Sequence, residues 1–213
     1  MIFLATENQG KINEISALFN NADLPNHLKS LQDLPDKIKS EYNPVENGKN
    51  FHENAAIKAK ALFKLIHEPV IAEDSGLIVE ALDGKPGIHS ARYETTDNKR
   101  INKLLTEMKN INNRRATFIA VISIMISEND IIFFRGRIDG AISESPKGTN
   151  GFGYDPVFIP NQLSQSKKSE KKSTQPDKTF AEMTTSQKSF LSHRSRAFTL
   201  AIQFLKNQKD LRI

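Results

Sequence analysis

Apolar positions along this chain alternate between a strand-like and a helix-like spacing. Ile2 to Ala5 is a short apolar run that predicts a strand. After Thr6-Glu7-Asn8-Gln9-Gly10-Lys11 the apolar residues Ile12, Ile15, Leu18 and Phe19 recur at helical spacing, with Asn8 placed to cap the helix. Residues 20–49 have little periodicity and carry Pro25, Pro35 and Pro44, so they predict a short strand near His27 to Leu31 followed by loop. Phe51 to Glu68 predicts a helix ended by Pro69, and Val70-Ile71-Ala72 a buried strand that stops in a turn at Glu73-Asp74-Ser75-Gly76. A glycine- and proline-punctuated loop covers 83–87, and Asp97 to Lys109 is amphipathic with Asp97 in its first turn. Ala116 to Ser127, rich in Ile and Val, is the clearest strand, with Ile131 to Arg137 as its hairpin partner and Ile138 to Ile142 as a further strand or edge. Thr184 to Gln187 forms a capping box opening a short helix, and His193 to Lys206 reads as the last helix.

The 213 residues suffice for one α/β domain with a real core, and 38% hydrophobic with 26% charged residues describe a soluble globular chain. Cysteine is absent, which excludes disulfides, a thiolate nucleophile and cysteine zinc sites and fits a reducing cytoplasm. No signal peptide or membrane-spanning run is expected. The net charge of +5 suits a polyanionic partner without choosing among nucleotides, nucleic acid and lipid headgroups. Residues 161–177, dominated by Ser, Gln and Lys, predict a mobile basic loop.

Three stretches carry candidate chemistry. A strand, a polar turn with Gly10 and a helix start with Lys11 is the arrangement that binds anions through helix-terminal amides, although Lys11 at a helix start is equally an ordinary solvated residue. Glu73 and Asp74 after an apolar strand can offer oxygen ligands to a hard cation such as Mg²⁺, or serve only as turn residues. Gly151-Phe152-Gly153-Tyr154-Asp155 sets aromatic rings among glycines, which suits close approach of a ligand to backbone and stacking on a ring; the alternative is a tight loop with Phe152 tucked inward. Asn54 and Lys58 share one helix face, and Ser192-His193-Arg194 opens the last helix. The five histidines show no metal-binding spacing, and no P-loop, GxGxxG or GxSxG motif is present.

Taken in order, these motifs resemble those of the inosine triphosphate pyrophosphatase family over nearly the whole chain. Thr6 to Lys11 is similar to the family's T-x-N-x-G-K, and Glu53-Asn54-Ala55 with Lys58-Ala59 to its E-N-A-x-x-K-A helix. Ala72 to Leu77 with Pro86-Gly87 and Ser90 to Tyr93 resembles its acidic signature, and Gly151 to Pro156, Lys178-Thr179 and Ser192-His193-Arg194 complete the set. Glu73 stands where most bacterial members have Asp, and the stretch before Lys178 is longer than usual.

The resemblance implies an α/β fold, an elongated mixed β-sheet with flanking helices, forming two lobes of one domain (1–213) around a central substrate cleft. It implies Mg²⁺-dependent hydrolysis of ITP, dITP and XTP to the monophosphate and pyrophosphate by a cytoplasmic homodimer. Asp74 would accept the proton of the attacking water, with Glu46, Glu73 and Asp74 as the carboxylates for Mg²⁺. Thr6, Glu7, Asn8, Gln9, Gly10, Lys11 and Lys58 would hold the phosphates, with Ser75 beside the acids. Phe152 would stack on the purine, while Gly153, Tyr154, Asp155, Lys178, His193 and Arg194 would line the base and ribose. The remaining readings are a pyrophosphatase for other nucleotides, a nucleotide sensor without turnover, and a nucleic-acid-binding module; the basic stretch lacks the interleaved aromatics expected of the last.

Overall fold

The computed structural model describes residues 1–24, 27–161 and 178–208. The basic stretch expected to form a mobile loop therefore lies, but for Asn161, outside the described residues. Six strands form a mixed sheet in the order β2-β1-β3-β4-β5-β6. They are β1 (Ile2–Leu4), β2 (Leu28–Ser30), β3 (Val70–Val79), β4 (Arg115–Ser127), β5 (Asp130–Ile142) and β6 (Phe158–Pro160). Strand β1 pairs in parallel with β2 and β3, whereas β5 and β6 pair antiparallel. The helices are α1 (Gln9–Asn21), α2 (Asp36–Glu41), α3 (Phe51–Ile66), α4 (Asp97–Glu107), α5 (Thr185–Leu191) and α6 (His193–Asn207). Among the described residues, no helix is long and apolar enough to cross a membrane.

The chain divides into two compact units, one of residues 1–76, 119–137 and 192–213, the other of 77–118 and 138–191. The first has a core on each side of its sheet. On one side Ile2, Leu4 and Ile71 pack with Ile12, Ile15 and Phe19 of α1 and Ala197, Phe198 and Ala201 of α6. On the other, Ala5, Val70 and Ala72 pack with Ala59, Leu62 and Phe63 of α3. Burying apolar area on both faces explains why these strands read as continuous apolar runs. The second unit is built on Leu77, Leu104, Phe118, Phe158 and Phe180, with the rings of Phe118 and Phe158 4.6 Å apart at their centres.

The structure corrects three expectations. Strand β3 does not stop at Ala72 but runs ten residues to Val79, carrying Glu73, Asp74, Ser75 and Gly76 inside the strand rather than in a turn. The hydrophobic pattern resumes at Leu77, and of the residues between, Glu73 and Asp74 are buried with cations against them while Ser75 is half-buried. Strand β5 is one continuous strand where two pieces were expected. Helix α2 lies in the stretch expected to be loop; it is short, has no buried residue and so shows no apolar stripe.

Candidate active site

The pleat of β3 sends successive side chains to opposite faces of the sheet. Ile71 faces α1 and α6, and Glu73, two residues on, meets those same helices. Val70 and Ala72 face α3, and Asp74 follows them to α3. The two adjacent acids thus enter different environments.

Glu73 is almost completely buried, and both its oxygens accept from Arg194 on α6, Nε and Nη2 each at 2.8 Å. The Lys11 ammonium stands 3.6 Å away. Burial opposes ionisation of this carboxyl, but Arg194, then Lys11, with a hydrogen bond from Ser75, outweigh it and hold Glu73 well below the usual carboxylate range. The Arg194 guanidinium also donates to Glu14 of α1 at 2.6 Å and to Ser75 Oγ at 3.3 Å. Burial disfavours its charge, yet Glu73 and Glu14 raise its affinity for the proton above the ordinary arginine value. Lys11 shifts the other way: burial, only partly countered by Glu73 and reinforced by repulsion from Lys58 and Arg194, lowers its pKa.

On the α3 side, the Lys58 ammonium lies 2.9 Å from Asp74 Oδ1 and 3.2 Å from Glu46 Oε2. Asp74 Oδ2 is buried and has no hydrogen-bond partner among the described residues. Glu46 sits in the loop before α3, which is pinned to the first turns of that helix. Gly48 N–H donates to Asn54 Oδ1 at 2.8 Å, Lys49 N–H donates to Glu53 at 2.8 Å, and Asn50 caps the helix by accepting from Glu53 N–H. Asn54 and Lys58, four residues apart, place the loop anchor and the ammonium one turn from each other. No three His, Asp or Glu side chains among the described residues converge as a ready-made cation cage. Glu46, which shares the Lys58 ammonium with Asp74 and is the more exposed of the two carboxylates, nevertheless suits Mg²⁺, which takes one or two carboxylates and completes its shell with water and substrate phosphate.

At the start of α1, Asn8 caps the helix by accepting from Lys11 N–H at 3.0 Å, and Thr6 Oγ1 accepts from Asn8 N–H at 3.2 Å. Glu7 and Gln9 are exposed. The turn presents helix-terminal amides beside Lys11, which is the electrostatics an anion needs. His193 is buried as the first residue of α6, beside the Ser192 cap.

In the second unit the glycine-flanked loop is built around Asp155. Its Oδ2 accepts from Phe152 N–H at 2.8 Å and from the Lys188 ammonium at 2.5 Å. Gly151 and Gly153 have φ of +77° and +61°, which residues with a Cβ rarely adopt. The Lys188 ammonium stands 5.0 Å from the centre of the Phe152 ring, and the Tyr154 hydroxyl donates to Ser90 O at 3.1 Å. Burial keeps the Tyr154 phenol protonated well beyond its ordinary range. It is Lys188 that meets Asp155; Lys178 is exposed at the edge of the described residues.

The expectations from sequence omit Glu14 and Lys188. Glu14 stands three residues from Lys11 on α1, so shared helix face was an available signal. Lys188 lies in a short polar helix, where nothing in the spacing separates a buried lysine from a solvated one.

Residues 2–204 match the Ham1 family. The chain belongs to that family. A dITP/XTP pyrophosphatase of Treponema denticola is 39% identical over 96% of this chain and 98% of its own length. The Ham1 protein of Staphylococcus aureus superposes with a TM-score of 0.78 at 37% identity, covering 98% of this chain and 99% of that one. A HAM1 protein of Coxiella burnetii has the same TM-score at 32% identity, covering 96% of this chain and 98% of its own. Ham1 membership agrees with the resemblance drawn from the motifs, and the mixed sheet with flanking helices is the expected fold class.

Proposed function

We propose that this chain hydrolyses the non-standard purine nucleoside triphosphates ITP, dITP and XTP to the nucleoside monophosphate and pyrophosphate, removing them from the nucleotide pool. One observation carries the reading: in a chain of the Ham1 family, Asp74 has one oxygen locked on Lys58 and the other buried without a hydrogen-bond partner among the described residues. Cleavage between the α- and β-phosphates needs a proton acceptor for the attacking water and cations around the triphosphate. Asp74 Oδ2 accepts that proton, and Lys58 orients the carboxylate through its hydrogen bond to Oδ1. Lys11 and the amides of the turn from Thr6 to Gly10 take phosphate oxygens, with Ser75 beside the acids.

Mg²⁺ supplies charge neutralisation of the triphosphate when bound. Glu46 would hold it, and Glu73 would join only by exchanging an Arg194 hydrogen bond, which leaves Asp74 Oδ2 to the water. Phe152 stacks on the purine, and Asp155 with Lys188 meets the base edge, where a donor that serves a 6-oxo group is left unpaired by the 6-amino group of adenine. Gly153, Tyr154, Lys178 and His193 are assigned by resemblance to the base and ribose side, whereas Arg194, expected there too, is held by Glu73 and Glu14 and stays with the acids. The protein acts as a cytoplasmic homodimer, for which a sedimentation mass of one chain would be the contrary result.

The test is pyrophosphate and phosphate release from ITP, dITP, XTP, GTP and ATP with Mg²⁺, repeated in chelator. The expected outcome is pyrophosphate alone, the non-standard purines turned over about a hundredfold faster than ATP, and silence in chelator. Equal turnover of ATP, or phosphate as product, sinks the reading.

A further inference from the structure

Phe152 and Gly153 follow one another in the glycine-flanked loop, and their amides are gripped by two different carboxylates. Phe152 N–H donates to Asp155 within the loop, at 2.8 Å. Gly153 N–H donates to Asp97 Oδ2, also at 2.8 Å, across 56 residues of sequence. Asp97 opens α4, and its other oxygen lies 2.5 Å from Arg100 Nη1 one turn along; Arg100 Nε in turn donates to Glu94 O at 2.9 Å. The carboxylate is therefore held from its own helix while it holds the loop. The loop needs such a hold, because Gly151 and Gly153, both at positive φ, are residues whose backbone has many alternatives. Asp155 alone fixes the entry to the Phe152 ring; Asp97 fixes the exit.

We propose that Asp97 is a positioning residue for base recognition: by accepting from Gly153 N–H it fixes the loop that sets Phe152 against Lys188 and Asp155. The inference rests on the assignment of Phe152 to the purine. Asp97 touches no reacting atom in this account. Its loss leaves Phe152 to be ordered by the nucleotide, so the ordering entropy is charged to binding and appears in KM rather than kcat. The phosphate-binding groups lie on other elements and are untouched.

Because its side chain is 43% exposed, Asp97 can be replaced without opening the core. The test uses the full chain as wild type, Asp97→Ala and Asp97→Asn. Asn keeps an oxygen that can accept from Gly153 N–H but gives up the charge opposite Arg100. Measurements are kcat and KM for ITP, the inhibition constant of inorganic tripolyphosphate, and hydrogen exchange at the Gly153 amide without nucleotide.

For Asp97→Ala we expect KM up about tenfold, the scale of one charge-assisted hydrogen bond, with kcat and tripolyphosphate inhibition unchanged and Gly153 exchange accelerated. Asp97→Asn should recover most of the KM. An unchanged KM in Asp97→Ala overturns the proposal. So does a joint loss of kcat and tripolyphosphate binding, or an Asn variant as impaired as Ala. Should wild type turn over no nucleoside triphosphate, the functional reading fails, while unaltered Gly153 exchange in Asp97→Ala separately refutes the anchor.

Discussion

Glu73 and Asp74 are chemically near-equivalent and adjacent, yet their partners separate them. Both Glu73 oxygens are taken by a buried guanidinium, whereas Asp74 has one oxygen fixed on Lys58 and the other buried with no hydrogen-bond partner among the described residues. Glu73 is the post that holds Arg194 and Lys11, and Asp74 is the acid proposed to face the chemistry. The Glu73 carboxyl titrates below its ordinary value of 4.5 because Arg194 and Lys11 overcome the cost of burial. A carboxyl depressed in the folded state contributes stability that is complete above the unfolded value and is lost as pH falls through the folded one. Wild type should therefore lose denaturant resistance as pH drops below about 4.5. Glu73→Gln should be less stable by about 3–5 kcal/mol at neutral pH, since it strands Arg194 in part, and should show a flatter acid profile. Parallel urea midpoints for the two proteins from neutral to acid pH would remove Glu73 from this role.

At the scale of elements, the decisive feature is that β3 runs through its acids. A ten-residue strand with alternate residues on opposite faces assigns one carboxylate to α1 and α6 and the other to α3. The loop before α3 then brings Glu46 to Lys58, and Gly48 is its tightest point. A Cβ there would lie 2.6 Å from Asn54 Oδ1 and 2.7 Å from Glu53 Cβ, closer than real contacts allow. Gly48→Ala should push the loop off the helix, raise the Mg²⁺ concentration needed for half-maximal rate about tenfold and leave the thermal midpoint within a few degrees. An unchanged Mg²⁺ requirement would show that the loop does not place Glu46.

The helices with long apolar stripes, α1, α3, α4 and α6, were legible because periodicity reports burial on one face. The continuation of β3 was not: Glu73-Asp74-Ser75-Gly76 has the composition of a turn, and the sheet neighbours and the cations from distant helices that accommodate its buried acids leave no mark in local spacing. Three-residue β6 and solvent-facing α2 carry too little pattern to detect.

For the molecule as a whole, the motif order of one Ham1 chain distributes two kinds of chemistry over two units. The first gathers Lys11, Glu46, Lys58, Glu73, Asp74 and Arg194, a set suited to a triphosphate and its cation. The second gathers Phe152, Asp155 and Lys188, a set suited to a purine. The candidate residues were legible in sequence as motifs, but their pairings were not, because Arg194 and Glu73 are 121 residues apart and spacing does not encode such a contact. Lys188, with no motif of its own, emerged only from its place beside Asp155. The central claim is that Asp74 directs the attacking water in the hydrolysis of ITP. Its most direct measurement is kcat for pyrophosphate release from ITP by Asp74→Asn against wild type, at saturating Mg²⁺ and nucleotide. The account predicts a fall of about a thousandfold, the scale of losing a positioned general base, whereas a variant within tenfold of wild type would contradict it.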